Sequence, residues 1–335
     1  MVLMIQAVHA FSSTKFVEWF PQDPVEFDRF RQSWTQGACK DLYADFVYKD
    51  QGKCGDVLNC LLTNTSEVQK TTIASAQVVM TLIPSLLATV GNSVAEVSLL
   101  ASQRPLLSFL ITLGAPSMHP TRIPEYRNPL HLLDGTSPHN PLDFGPLVEP
   151  SPSIRTVIYI IAAGATVNNI ELALRIGSRS ALAWGCRSWY MPLVWVLFPI
   201  TTYAVAALSC CLSRKDTTSD KTMYLHTWSF FEPVEDALSY SLQCVQICFH
   251  IPFLDKTKPP SREVMLFQLA ASCLAFAHVV LGTLILSSLI FVGFDDTLVI
   301  LARFLGSAVV ARIIMLLQLD GMRPKIASDD SRLSS

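Results

Sequence analysis

From Val264 to Phe294 the chain runs for 31 residues without an Asp, Glu, Lys or Arg. About 20 apolar residues in helical form cover the roughly 30 Å hydrocarbon core of a bilayer. This run therefore predicts a membrane span that tilts or extends beyond the lipid at one end. A second run, Ser188 to Ser213, carries Trp189 and Tyr190 at one end and is followed by Arg214 and Lys215 at the other, residues that settle at membrane interfaces. Pro199 near its centre predicts a kink and not a break, because a neighbouring helix can satisfy the carbonyl that proline leaves without a donor. Thr71 to Gly91, Thr156 to Leu174 and Thr297 to Leu319 are weaker runs. The last contains Arg303 and Arg312, placed either to snorkel toward headgroups or to face a partner helix.

Five spans are expected, in an all-α polytopic helical membrane protein whose first partner is the lipid bilayer. Composition agrees: 50% of residues are hydrophobic and 16% charged, against roughly 25% charged in soluble proteins. The formal net charge is −2 with no basic block, which excludes nucleic-acid binding, since that needs clustered Lys and Arg against phosphate. Residues 1–70 read as a small extracytosolic cap, 71–320 as the transmembrane domain and 321–335 as a disordered cytosolic tail. The sequence leaves the oligomeric state open.

The stretch from Gly91 to Ser117 is apolar but holds Glu96, Arg104 and Pro105. Ser93 followed by Glu96 has capping-box spacing, so a helix should begin near Val94. Pro105 disfavours a helical Arg104 and suits the first position of a second helix, which Gly114 and Pro116 would stop. Two helices of about ten residues reach only about 15 Å each. A continuous span would also put Arg104 near mid-membrane at about 2.5 to 3.5 kcal/mol. A non-crossing element follows, a re-entrant hairpin or an interfacial pair. Glu96, Leu100 and Arg104 recur every four residues, so the two charges are expected on a common face.

Lys and Arg then set the orientation, since positive charge in short loops marks the cytosolic side. Arg214, Lys215, Lys221, Lys256, Lys258 and Arg262 lie in one loop, Arg122, Arg127 and Arg155 in another, and Arg323, Lys325 and Arg332 in the tail. All three segments fall on one face. The opposite face has Arg175, Arg179 and Arg187. The C-terminus is therefore expected in the cytosol and the N-terminus outside, in the plasma membrane or an endomembrane. An external cap sits in oxidising conditions, so among Cys39, Cys54 and Cys60 one disulfide and one leftover thiol are expected, with the pairing open. Asn64-Thr65-Ser66 is a glycosylation sequon, although it stands only a few residues before the first span.

Chemistry-bearing residues are sparse. Asn168, Glu171 and Arg175 fall on one helical face, with Glu171 and Arg175 at pairing distance. Polar groups at membrane depth are default candidates for function, although an ordinary helix end with a salt bridge would look the same. Together with Glu96, Arg104 and His278 they form a candidate intramembrane polar network. His278 alone in an apolar run reads first as a packing residue. The loop 116–153 holds nine prolines together with His119, His131, Asp134, His139 and Asp143, whose spacing follows no zinc or iron pattern. Cys244, Cys248 and His250 fall on an expected amphipathic surface helix, 236–252. No metal and no cofactor is expected, and no Walker A, G-x-S-x-G or H-E-x-x-H sequence is present.

Residues 60–117 carry a Cys-containing segment, a Pro-interrupted first span, the G-N-S-x-x-E element at Gly91 to Glu96 and R-P-L-L at Arg104 to Leu107. In these features the chain resembles a group of uncharacterised multi-pass membrane proteins of filamentous fungi. The resemblance implies location and topology and carries no mechanism. The functional expectation is a transport, receptor or scaffolding role. The alternative is a membrane-embedded biosynthetic enzyme of cyclase or isomerase type acting on a lipophilic small molecule, with Glu171 or Glu96 as proton donor.

Overall fold

The computed structural model describes residues 37–48, 54–119, 152–184, 188–215 and 262–322. The helix expected over 236–252, most of the proline-rich loop and the tail lie outside them. Two short helices, α1 (Lys40–Tyr48) and α2 (Cys54–Thr63), form the described part of the cap. There follow α3 (Glu67–Val90), α4 (Val94–Gln103), α5 (Pro105–Gly114), α6 (Pro152–Arg179), α7 (Met191–Leu197), α8 (Pro199–Lys215), α9 (Arg262–Ser287) and α10 (Phe294–Met322). Five segments are long and apolar enough to cross a membrane: α3, α6, α7 with the membrane part of α8, α9 and α10.

What faces outward matches that reading. Val78, Leu82, Leu86, Ile160, Ile161, Val167, Leu266, Phe276, Leu284, Val299 and Val309 are all exposed. In water such a surface would be an aggregation hazard, whereas in lipid it is the solvated face. The chain is thus an all-α multi-pass integral membrane protein.

The helices start somewhat earlier or end somewhat later than hydropathy alone places them, because caps and not apolarity fix a terminus. α3 begins at Glu67 since the Ser66 side chain accepts from Gln69 N. The longest apolar run breaks after Ser287, where Leu289–Ile290 pairs antiparallel with Ala181–Leu182. Phe291 in that turn has a positive φ of 69° and is buried. Its packing against Val57, Leu58 and Leu61 of α2 offsets a left-handed conformation costing about 1–2 kcal/mol. The cap is thereby seated on the bundle end where α6 and α9 finish and α10 starts.

Around the bundle, α8 packs on α9, α9 on α3, α3 on α10 and α10 on α6. At the cap end α7 closes the ring against α6, while beyond the Pro199 break α8 turns to α4 and α5. The pair α4 and α5 fills the gap this leaves. Pro199 has no N–H to give Trp195 O, which receives instead a long 3.3 Å bond from Phe198 N and a 2.8 Å bond from His278 Nε2 on α9. A carbonyl only accepts, so Nε2 carries the hydrogen. Where a kink within one helix is expected, the helix is instead interrupted at Phe198, between α7 and α8, and α9 supplies the missing donor.

Candidate functional site

The α4–α5 hairpin is built as its residues dictate. Ser93 Oγ accepts from Glu96 N at 3.3 Å and Ser93 N donates to Glu96 Oε2 at 2.8 Å, a complete capping box. Arg104 leaves the helical region before Pro105, which opens α5. The two ends of the hairpin meet: His119 N donates to Asn92 O at 3.0 Å, and Ser117 Oγ donates to Pro84 O at 3.1 Å. The close approach explains Gly91, where a Cβ would stand 2.1 Å from Ser117 O. Residues 94–114 therefore fold back on themselves as two ten-residue helices, neither long enough to cross alone.

Their direction differs from a hairpin dipping in from the surface. Arg312 of α10 meets Glu96 at the start of α4, and Gln318 meets Arg104 at its end, with Arg104 Nη1 to Gln318 Oε1 at 2.8 Å. Six residues of α10 separate these partners, about 9 Å, so α4 runs toward the C-terminal end of α10. The turn, with exposed Gln103, lies near that end of the bundle, and both loose ends of the pair lie within it. The physical reason is satisfaction: the charged turn sits near water, while the inner ends carry their own caps. At α5 that cap is Asn169, whose Nδ2 donates to Leu113 O and Gly114 O at 2.9 Å each. Asn169 is fully buried and lies ten residues before Arg179, about 15 Å from that end of α6. The interruption is thus at membrane depth.

Along α10 the two arginines anchor different helices. Arg312 Nη1 donates to Glu96 Oε2 at 2.5 Å and, more weakly, to Asn92 Oδ1 at 3.4 Å. Arg303 donates through Nε and Nη2 to Asn168 Oδ1 at 2.9 and 2.6 Å, and through Nη2 to Glu171 Oε2. Glu171 Oε1 holds Arg175 Nη2 at 2.7 Å, and Asn168 Nδ2 donates to Ser307 Oγ at 2.8 Å. Of the two roles open to these arginines, snorkelling and facing a partner helix, both take the second.

The six candidate residues therefore occupy four places. Asn168, Glu171 and Arg175 share one cluster, as their spacing predicts. Glu96 and Arg104 do not share a partner, since each is taken by a different residue of α10. His278 is 1% exposed and stacks between Trp195 and Phe198, a satisfied packing residue. Arg303, Arg312, Asn169 and Asn92 complete the clusters. Asn92, 1% exposed, keeps an Nδ2 with no hydrogen-bond partner among the described residues.

In the cap, Cys39 and Cys60 form a disulfide. The expectation that one of the three thiols is left over is corrected, since Cys54 is itself disulfide-bonded. Asn64 turns its Nδ2 onto Cys60 O at 2.8 Å, and Thr65 of the sequon is buried. Among the described residues no group of three or more His, Cys, Asp and Glu side chains could hold a metal ion.

Comparison with protein-family models, curated proteins and solved structures yields no match. The class of protein rests on fold and site: a five-span helical membrane protein with a half-crossing helical pair held by arginines of its last span.

Proposed function

We propose that the protein is a non-enzymatic membrane protein and that, among transport, receptor and scaffolding roles, it acts in transport of a lipophilic small molecule. One observation carries this reading. The chain is interrupted at Gly91–Ser93 and again at Ala115–Met118, side by side at membrane depth and next to the Glu96–Arg312 pair. Irregular backbone at that depth is tolerated only when buried in protein or lining a path, and discontinuous helices are where carriers build their sites. Asn92 Nδ2, without a partner among the described residues, offers a donor there. Scaffolding would require none of these interruptions.

The enzymatic alternative is less well supported. A proton donor needs a carboxyl group turned toward substrate, and Glu96 and Glu171 are both turned toward guanidinium groups. The cap is assigned to the outside and the C-terminus to the cytosol, on the distribution of Lys and Arg. The cap disulfides fit an oxidising compartment. The likeness to fungal multi-pass proteins is consistent with this assignment.

The deciding experiment is a small-molecule profile of a deletion strain, with cells and medium analysed separately by mass spectrometry and complemented by wild type or Glu96→Gln. Transport predicts an unchanged set of compounds redistributed between cells and medium, restored by wild type. A compound that accumulates and differs from a lost product by one reaction would identify the enzyme instead.

A further inference from the structure

The outer groove between α6 and α10 carries charge where its neighbours are apolar. The side chains of Glu171, Arg175 and Arg303 are 42%, 41% and 29% exposed, beside lipid-facing Val167, Leu298 and Val299. Two guanidinium groups share one carboxylate, leaving one positive charge in excess. In these contacts Arg303 uses Nε and Nη2 and Arg175 uses Nη2. Exposed charge at membrane depth is costly and calls for a partner.

The groove also has a polarity. Reading α6 from Arg175 toward the bundle middle gives Glu171, Asn168 and then Gly164, while reading α10 from Arg303 gives Gly306 next. A Cβ at either glycine would meet nothing within 4 Å, so the trough is open beyond the charges. Arg175 lies four residues from the end of α6, about 6 Å, near headgroup level. Charge at the interface and an open apolar trough beneath it is the profile of a lipid. We propose that this groove binds a phosphate-headed anionic lipid of the cap-side leaflet, its phosphate on Arg175 and Arg303 and one acyl chain over Gly164 and Gly306. The assignment is independent of the transport reading.

The test is native mass spectrometry of the full-length protein in mild detergent, titrated with palmitoyl-oleoyl phosphatidic acid or the matching phosphatidylcholine. Phosphatidic acid is retained about tenfold better, the scale of one charge-assisted contact. Arg175→Gln abolishes that preference while Arg303 still holds Glu171. Gly164→Leu, which fills the trough without altering charge, weakens retention of phosphatidic acid by a similar factor. Equal retention of the two lipids, or insensitivity to both variants, overturns the proposal. So does displacement by inorganic phosphate alone, which would make the site one for a free anion. A dimer lost in Gly164→Leu would give the groove to a second copy of the chain.

Discussion

At the scale of single residues, the contact of Trp195, His278 and Gly282 shows how a proline is accommodated in lipid. His278 supplies the donor that Pro199 removes, and Gly282 lets the two helices approach until the indole lies where a side chain would be. A Cβ at residue 282 would stand 2.3 Å from Trp195 Nε1 and 2.9 Å from Pro84 Cγ. Gly282→Ala should therefore lower stability by about 1–3 kcal/mol, the range for overpacking a filled core. Gly306→Ala, with open space around it, should be close to neutral, and thermal melts of the detergent-purified variants compare the two. His278→Leu should destabilise by about 0.5–1.5 kcal/mol, the net worth of one hydrogen bond, since the buried carbonyl would keep only the long bond from Phe198 N. The freed carbonyl and the lone histidine are each legible in the sequence. Their union is not, because 83 residues separate them and no local spacing reports it.

At the scale of elements, the hairpin tests which charges hold helices together. Its start and turn are legible because a capping box and an Arg-Pro step are local rules acting within a few residues. Its fastening is not: Arg312 is 216 residues from Glu96, and Asn169 is 55 residues from Gly114. The two arginines of the last span were the available signal, since charge in an apolar helix implies a partner, though not which one. Removing one member of a buried pair costs about 3–5 kcal/mol because the other charge is stranded. Arg312 is 29% exposed at its side chain and Glu96 10%, so Glu96→Gln, which strands the partly solvated arginine, should fall below that range, and Arg312→Gln should be the more harmful. A double-mutant cycle should give a coupling clearly above that of the half-exposed Glu171–Arg175 pair, for which about 0.2–1 kcal/mol is expected. Equal couplings would deny the Glu96–Arg312 pair its role as the fastening of α4.

For the whole molecule, the number of crossings decides where the chain's two ends lie. A half-crossing pair contributes nothing to the parity, so five spans put the cap and the C-terminal end of α10 at opposite ends of the bundle, as the seating of Phe291 against α2 requires. Hydropathy reveals the five long runs because lipid demands length and apolarity from each helix separately. It cannot reveal how α4 and α5 insert between α8 and α6, which follows from the Pro199 bend and the shape it leaves. Charge supplies the remaining choice, which end is cytosolic. A single cysteine introduced near residue 30 should react with a membrane-impermeant maleimide on intact cells, while one near residue 330 should react only after permeabilisation. A cysteine at Gln103, on the exposed turn of the hairpin, should follow residue 330, since that turn lies toward the C-terminal end of α10. If residue 103 instead labelled together with residue 30, the hairpin would open toward the cap, contrary to the Arg104–Gln318 contact. If residues 30 and 330 became reactive together, at the same step of selective permeabilisation, the number of crossings would be even, and the distribution of Lys and Arg would have to be reassigned with it.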